Sequence, residues 1–314
     1  MTDVFGFAVA AGGDALRDAA IVAGYQLGVF DGAARTLDEL ADANGIARGR
    51  RRMRPLLDLL VAMGHLVRDG ERVVAADVPA PREVAHAGWG LMVDVFRSDE
   101  ALPAERGEVQ LRYHTHLTEV GAPAAAELAR LIGGASLIDL GCGAGTYTAA
   151  FLDAHPAARA TGVDLGEVVP IAQRFLARFG ERVRLVVDDI STVQGPGAHE
   201  VALLANVVHL HAPALCQRYI ERAASLLMPH GKLVIKDLRL DEDRRGPRSG
   251  LMFALNMAIY TDGGDVYPTS QLRGWCEAAQ LGSIEEHRLE SSPDSIVIVA
   301  SRPRGAPANT GAGR

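Results

Sequence analysis

The stretch Ser136–Leu152, SLIDLGCGAGTYTAAFL, decides the fold, because a strand, a glycine-rich turn and a helix start follow one another directly. The apolar run that ends at Leu140 predicts a short buried strand. The turn after it has glycines that leave room for a close approach of ligand to backbone, at Gly141, Gly143 and Gly145. The first amides of the following helix lack partners and favour a polar or anionic ligand group. The sequence therefore predicts a site for a nucleotide-type cofactor.

A second strand that ends in an acid supports this interpretation. The apolar run Ala158–Val163 predicts the next strand and closes on Asp164, about 20 residues beyond Gly145. A carboxylate at that place can accept hydrogen bonds from both ribose hydroxyls of a nucleoside. The dinucleotide pattern G-x-G-x-x-G, started at Gly141, needs a glycine where this chain has Thr146, which disfavours NAD.

These motifs, together with a third apolar run, Val183–Val187, that leads into Asp188-Asp189, resemble those of the class I S-adenosylmethionine-dependent methyltransferases. Over nearly its whole length the chain is similar to the small-molecule O-methyltransferases that carry an N-terminal winged-helix dimerisation domain. The resemblance implies an α/β fold, with a Rossmann-like seven-stranded methyltransferase domain preceded by a mostly helical winged-helix-like domain. It also implies S-adenosyl-L-methionine as cofactor, a small-molecule acceptor and a homodimer.

The resemblance assigns cofactor roles to individual positions. The glycine turn is expected to lie against the methionine part, Asp164 to hold the ribose, and Asp189 to meet the adenine. Tyr113 matches an aromatic that covers the cofactor. An acid at a strand end, such as Asp188, can also merely solvate a loop. The expected cofactor-binding residues are Asp139, Gly141, Gly143, Gly145, Asp164, Leu165, Asp188, Asp189, Ile190, Asn206 and Tyr113.

A fourth apolar run, Glu200–Val208, ends in His209 and marks the expected chemical centre. A neutral imidazole accepts a proton near neutral pH, and strand ends on this side of an open α/β sheet face the ligand crevice. In the resembling enzymes the histidine that matches His209 takes the proton from the acceptor hydroxyl. The alternative is that this residue simply ends a strand.

Two acids orient that histidine in the resembling family. Asp237 matches the first of them, although it could instead pair with Lys236 or Arg239. Val266 holds the place of the second, next to Asp265, so the His-plus-two-acids pattern is incomplete. This departure keeps open a second hypothesis, in which the bound cofactor serves a non-methylating reaction such as cyclisation.

The apolar stretch Ser249–Tyr260, SGLMFALNMAIY, predicts a helix that lines the acceptor pocket in the resembling family. Apolar walls with one amide suit a flat or hydrophobic acceptor of secondary-metabolite type. Most of these side chains could equally belong to the core. The expected acceptor-binding residues are His211, Met252, Asn256 and Met257.

The N-terminal part predicts three helices followed by a hairpin, which is a winged-helix outline. The helices are Asp14–Phe30, a short helix opened by the capping box Thr36–Glu39, and Arg51–Met63. Pro55 is compatible with the third helix only if it lies in the first turn. The hairpin spans 65–75 and has its turn at Asp69-Gly70. The basic stretch RGRRRMR at 48–54 raises a third hypothesis, a DNA-binding regulator. The apolar run that follows it favours a packed or dimer-forming helix instead.

The domain bounds follow from these elements and from a Pro-rich boundary at Val78–Arg82. We expect a winged-helix-like dimerisation domain at 1–80, connecting helices at 81–130, the methyltransferase domain at 131–303 and a disordered tail at 304–314. The connecting helices are Glu83–Arg97 and Pro123–Ile132, with Pro123 at a helix start. Periodicity further predicts helices Pro213–Met228 and Thr269–Leu281 and strands Lys232–Ile235, Ser283–Glu290 and Ser295–Ser301.

Composition narrows the class of protein. A chain of 314 residues can hold one large α/β domain and a smaller companion, and its net charge of −7 argues against a nucleic-acid surface. Three cysteines without motif spacing disfavour a disulfide framework or a structural zinc site. His114 and His116 lack a third ligand for a metal. No apolar run reaches the length of a membrane span, so we expect a cytoplasmic protein with no membrane partner.

Overall fold

The computed structural model describes residues 13–82, 87–103, 108–195 and 197–303. The described chain forms two compact units. The first takes the described parts of Met1–Arg106 together with His209–Ala212 and Arg239–Pro268. The second takes the described parts of Gly107–Val208, Pro213–Leu238 and Thr269–Arg314. Two later segments thus join the N-terminal unit. The expected tail at 304–314 lies outside the described residues.

Helices and strands are numbered in chain order. The helices are α1 (Gly13–Gln26), α2 (Leu37–Ala43), α3 (Arg50–Ala62), α4 (Ala87–Gly90), α5 (Met92–Ser98), α6 (Glu108–Leu131), α7 (Thr146–Ala154), α8 (Val169–Leu176), α9 (Pro213–Ser225), α10 (Arg248–Tyr260) and α11 (Thr269–Ala278). The strands are β1 (Arg35–Thr36), β2 (Leu66–Asp69), β3 (Arg72–Ala75), β4 (Ser136–Leu140), β5 (Arg159–Asp164), β6 (Val183–Val187), β7 (His199–Ala205), β8 (Leu227–Leu238), β9 (Gly282–Leu289) and β10 (Ser292–Ser301).

The N-terminal part of the first unit has the three helices and the hairpin that the sequence predicts. Its antiparallel sheet has the order β1-β3-β2. The capping box of α2 is confirmed, because the Thr36 hydroxyl accepts from the Glu39 amide at 3.1 Å and the Glu39 carboxylate accepts from the Thr36 amide at 2.9 Å. In the hairpin, Asp69 pairs with Arg72, so the two-residue loop is Gly70-Glu71 rather than Asp69-Gly70.

Two details of these helices differ from the prediction. Helix α1 ends at Gln26, before the predicted Phe30, and the chain turns there. Pro55 lies inside α3, beyond the first turn in which the sequence analysis allowed it. A proline there removes one backbone hydrogen bond and crowds the preceding turn. The buried apolar face of α3 offsets this cost, with Leu56 and Leu60 fully enclosed.

Helix α10 is the buried centre of the first unit. Its side chains from Leu251 to Tyr260 are almost all buried, as expected for a helix that is apolar all round. The buried Arg52 guanidinium donates to the carbonyl oxygens of Ala258 at 2.7 Å and Thr261 at 2.6 Å. These are carbonyls at the end of α10 that have no helical partner, and a cation is favourable there.

The second unit is built on a seven-stranded sheet with the order β6-β5-β4-β7-β8-β10-β9. The five strands from β6 to β8 are parallel, and β10 runs antiparallel to both of its neighbours. The core between sheet and helices contains Leu137, Phe151, Leu152, Val201 and Val234. The predicted α/β class and the seven-stranded sheet are confirmed. In the described residues no helix combines the length and the apolar composition needed to cross a bilayer.

Four elements of the second unit depart from the prediction. Helix α6 is continuous through Pro123, which the sequence analysis placed at a helix start. Strand β8 spans twelve residues and is longer than the predicted Lys232–Ile235. Strand β7 stops at Ala205 instead of reaching Val208, because Asn206 has a φ of 58° that a strand does not allow. Helix α8 has no counterpart in the prediction.

Close packing at Gly49 gives a test of the first unit. A Cβ atom added there would lie 1.9 Å from the Phe96 carbonyl oxygen, whereas one added at Gly90 would meet nothing within 4 Å. We expect Gly49→Ala to destabilise the protein by about 2 kcal/mol or more, since helices α3 and α5 must separate. Gly90→Ala is the matched control and should be neutral or slightly stabilising. Equal urea midpoints for the two variants would contradict this packing.

Candidate functional site

The glycine turn after β4 is held in a conformation that side chains disfavour. Gly141, Gly143 and Gly145 have φ values of 76°, 56° and 85°. A Cβ atom on Gly141 would lie 2.8 Å from a Val207 methyl group, and one on Gly145 would lie 2.5 Å from a Leu176 methyl group. The amides of Gly141 and Cys142 donate to the Val163 carbonyl oxygen at 2.8 and 3.1 Å. The turn is therefore tied to the end of β5.

Asp164, the last residue of β5, closes the turn from the other side. Its carboxylate accepts from the Gly143 amide at 2.7 Å and from the Leu165 amide at 2.8 Å. These two backbone donors fix the position of the Asp164 carboxylate at the edge of the turn. The Leu165 side chain beside it is exposed.

Asp139 has a different setting from the one expected of a cofactor ligand. It is buried in β4, and the Thr148 hydroxyl of α7 donates to its carboxylate at 2.6 Å. Burial raises the pKa of Asp139 to about 7, the Thr148 hydrogen bond lowers it in part, and the Asp164 charge adds to the rise. The structure thus gives this acid a contact with the helix that follows the turn.

The acids after β6 cap the loop that follows them. Asp188 accepts from the Asp189 amide at 2.8 Å and from the Thr192 hydroxyl at 2.9 Å. Asp189 accepts from the Ser191 amide at 2.7 Å. Ile190 is buried. Both acids follow the carboxyl end of β6, which is the neighbour of β5 in the sheet. They therefore lie at the same sheet edge as Asp164, where the adenine contact is expected.

A lysine that the sequence analysis treated only as a possible partner of Asp237 fixes Asn206. The Lys236 ammonium donates to the Asn206 side-chain oxygen at 2.9 Å, and the Asn206 amide donates to the Lys236 carbonyl oxygen at 2.8 Å. Burial lowers the pKa of Lys236 to about 8, and the charge of Asp237 offsets part of that fall. The burial of Lys236 could have been predicted from its position on a central strand. The pairing of Lys236 with Asn206 could not be predicted from the spacing of the two residues.

His209 belongs to the first unit and lies in a short 3-10 turn, Val208–Leu210, rather than on a strand. Its side chain is 6% exposed. The Phe253 ring of α10 meets the imidazole edge to face, with centroids 4.8 Å apart and planes at 85°. Such a contact restricts ring rotation. Phe253 was missed because it sits between predicted pocket residues in an apolar run.

The proposed helper and the second histidine have contacts of their own. Asp237 is buried near the end of β8, where its carboxylate accepts from the Leu238 amide at 2.7 Å. It belongs to the second unit. His211 belongs to the first, and its carbonyl oxygen accepts from the Tyr267 hydroxyl.

The expected acceptor residues of α10 are all buried. Met252, Asn256 and Met257 pack inside the first unit. The Trp89 indole donates to the Asn256 side-chain oxygen at 3.3 Å, whereas the Asn256 side-chain nitrogen has no hydrogen-bond partner among the described residues. The same holds for the Ser249 hydroxyl on this helix. A buried polar group without a partner is costly, so both are places where a ligand could supply one.

The remaining predicted positions add little. Tyr113 lies in α6, and its side chain is outside the described residues, as is that of His114. Among the described side chains, no cluster of three or more His, Cys, Asp or Glu could hold a metal ion.

The second unit fits the expected cofactor. Its parallel strands bring three features to one sheet edge: the glycine turn, the Asp164 carboxylate and the acids after β6. Packing of Val207 and Leu176 against the turn leaves no room for a Cβ atom at Gly141 or Gly145, so the turn keeps its backbone without side chains at these two positions. The N-terminus of α7 follows the turn directly and favours a carboxylate such as that of a methionine group.

Comparison with known proteins identifies the family. Residues 100–272, more than half of the chain, match the family described as the O-methyltransferase domain. The chain belongs to this family. It is an S-adenosylmethionine-dependent O-methyltransferase, and its cofactor is S-adenosyl-L-methionine. Membership favours methyl transfer over the non-methylating and DNA-binding hypotheses.

Individual relatives agree with this assignment. The chain is 26% identical to the tetracenomycin polyketide synthesis 8-O-methyl transferase of Streptomyces glaucescens, over 89% of this chain and 91% of the relative. The chain also matches mammalian acetylserotonin O-methyltransferases in sequence, and these sequence matches cover less than half of the length of each relative.

Two solved structures share the fold. An O-methyltransferase family 2 protein from Planctomyces limnophilus, in complex with apigenin, matches 96% of both chains at 22% identity and a TM-score of 0.75. Human N-acetylserotonin methyltransferase, in complex with SAM, matches 93% of this chain and 95% of its own at 21% identity and a TM-score of 0.62.

The buried Asp139 predicts a pH-dependent stability. Because its pKa is raised from 3.8 to about 7, the folded protein binds more protons than the unfolded chain between these values, and its stability falls as pH rises through that window. Asp139→Asn keeps a side-chain oxygen that can accept from the Thr148 hydroxyl, and it removes the titrating group that makes stability fall with rising pH. We expect the variant to match the wild type near pH 4 and to gain a few kcal/mol by pH 8, at about 1.4 kcal/mol per pKa unit.

Urea unfolding of the cofactor-free protein from pH 4 to 8 measures this difference. Asp153→Asn is the control in the same unit, since Asp153 is half exposed and its pKa is lowered by Arg178. It should show no such gain. If the difference in unfolding free energy between Asp139→Asn and the wild type did not change with pH, burial would not raise the pKa of the Asp139 carboxyl group.

Proposed function

We propose that this enzyme methylates a hydroxyl group of a small aromatic or hydrophobic acceptor of secondary-metabolite type, with His209 as general base. The observation that carries the proposal is the buried imidazole of His209, set against Phe253 on an apolar helix. The similar Streptomyces glaucescens enzyme is named for tetracenomycin polyketide synthesis, and the Planctomyces protein was solved with apigenin. Both names support an acceptor of this class.

The position of His209 supports its role as base. Three residues separate it from the end of β7, a central strand whose carboxyl end lies at the expected cofactor edge of the sheet. An unprotonated imidazole can take the proton from the acceptor hydroxyl as the oxygen forms its bond to carbon. The Phe253 edge limits the directions in which the ring can point, which keeps its nitrogen aligned.

Asp237 supports the base as its orienting partner in this proposal. Strand β8 pairs with β7 in parallel, Ala205 opposite Lys236, so Asp237 comes one residue beyond the last pair. It is a buried acid, and a carboxylate that orients a base can stabilise the charged imidazole that forms after proton transfer. When bound, S-adenosylmethionine supplies the electrophilic methyl group, and the protein's part is to align the oxygen and remove its proton.

Replacement of the base tests the assignment. We expect His209→Gln to lower kcat by roughly 100-fold or more, because glutamine cannot accept the proton. The cofactor dissociation constant should stay unchanged, since the glycine turn and Asp164 belong to the other unit. Formation of S-adenosylhomocysteine measures kcat, and calorimetry measures cofactor binding.

His287→Gln is the matched control, because this histidine lies on β9 beside Glu285 and belongs to neither expected site. It should leave kcat within a few-fold of the wild type. If His209→Gln turned over at the wild-type rate, the base assignment would be lost.

Asn256 gives a test of acceptor binding. Its side-chain nitrogen lacks a partner, so we expect it to donate to an oxygen of the acceptor. Asn256→Asp keeps the oxygen that accepts from Trp89 and loses the donor, and it should raise the acceptor KM by about 10-fold or more. Trp89→Phe is the control, because it removes the indole donor and leaves Asn256 in place. An unchanged KM for Asn256→Asp would exclude this contact.

The proposal also includes a homodimer formed through the N-terminal domain and a cytoplasmic location. Exposed apolar side chains on the first unit, at Val67, Val78 and Leu91, support a protein interface there. The three cysteines are buried and form no disulfide within the described part of the chain, which supports a reducing compartment.

A further inference from the structure

We propose that Arg244 and Asp265 are positioning residues for His209, because a buried ion network fixes a short segment of backbone that holds the main chain of the base. We call this segment, Gly263–Tyr267, the bracket. The inference rests on the proposed role of His209 as general base. All residues involved lie in the first unit.

The bracket contacts the main chain of the His209 turn at two points. The Asp265 amide donates to the His209 carbonyl oxygen at 3.1 Å, and the Tyr267 hydroxyl donates to the His211 carbonyl oxygen. Gly264 makes the first contact possible, because a Cβ atom there would lie 2.3 Å from the His209 carbonyl oxygen. The bracket therefore lies directly on the backbone that carries the imidazole.

An ion network centred on Arg244 holds the bracket. The Arg244 guanidinium donates through Nε to Asp58 at 2.6 Å and through Nη2 to Asp265 at 3.0 Å, and through Nη1 to the Val266 carbonyl oxygen at 3.3 Å. Asp58, on α3, also accepts from Arg68 at 2.7 Å. The side chains of Asp58, Arg244 and Asp265 are 3%, 10% and 23% exposed.

The charges in this network favour one arrangement. Burial works against the cation, but the carboxylates of Asp265 and Asp58 raise the pKa of Arg244 above its usual value. A planar fork that donates to two acids at once has little freedom to move. Loss of one member would leave a charge buried without its partner. The bracket is thereby fixed against α3 as well as against the His209 turn.

The contact with the base is made by backbone and not by a carboxylate. The Asp265 side chain accepts from Arg244 and from the Val266 amide at 2.8 Å, while its own amide reaches the His209 carbonyl oxygen. The Val266 side chain is buried. The network acts on where the imidazole is placed, and a small misplacement of a catalytic group is enough to slow a reaction by an order of magnitude or more.

Variants of the full-length enzyme test this. Arg244→Gln and Asp265→Asn remove one charge each and should lower kcat by roughly 10-fold, with the cofactor dissociation constant unchanged. Arg244→Lys keeps the positive charge but loses the planar guanidinium group, so its kcat should lie between those of Arg244→Gln and the wild type. Hydrogen-exchange mass spectrometry should show faster exchange of the Asp265 amide in Arg244→Gln, while the Ile46 amide, bonded to the Ala41 carbonyl oxygen, exchanges as in the wild type.

Arg245→Gln is the matched control, because Arg245 is the exposed neighbour of Arg244. It should change neither kcat nor the exchange of the Asp265 amide. The inference is overturned if Arg244→Gln and Asp265→Asn lower only the melting temperature and leave exchange at the bracket and kcat as in the wild type. Failure of the base assignment looks different: His209→Gln would then keep its kcat, whatever the exchange at Asp265 shows.

Discussion

The hydrogen bond from the Gly143 amide to the Asp164 carboxylate is the contact on which the candidate cofactor site depends. It joins the turn after β4 to the end of β5, and two further amides of the turn donate to the Val163 carbonyl oxygen. With the turn fixed in this way, its glycines keep left-handed conformations. Without Asp164, the amide of Gly143 would have no carboxylate to meet, and the turn would lose its link to the Asp164 side chain.

Features that follow from local chemistry were predictable from the sequence. The strands β4, β5 and β6 are short apolar runs, the first followed by glycine and the other two closed by acids, and the capping box of α2 is contained in four residues. Elements that depend on tertiary contacts were not. By local rules Pro123 marks a helix start, but it lies within α6. The residues of β8 before Gly231 do not have a strand pattern in the sequence, so the first part of this strand was not predicted. Packing of the whole chain outweighs these local preferences.

The candidate site divides in the same way. His209, Asp164 and Asn256 could be proposed from the sequence because each residue stands at a recognisable place in a motif or on an apolar helix. Phe253, Lys236 and Arg244 were not, since their roles come from partners far along the chain, such as Asn206 for Lys236 and Asp58 for Arg244. Spacing places Val266 in the position of the second acid, and it could not show that the Asp265 amide donates to the His209 carbonyl oxygen.

The buried charges have a common physical meaning. Asp139 and Lys236 in the second unit, and Asp58 with Arg244 in the first, are taken out of water at a cost that hydrophobic replacements would avoid. Each of them holds a backbone feature next to a site: the helix after the glycine turn, the left-handed Asn206, and the bracket on His209. An apolar side chain could fill the same volume, but it could not fix the direction of a hydrogen bond. The charges are therefore better explained by the need to set geometry than by a gain in stability.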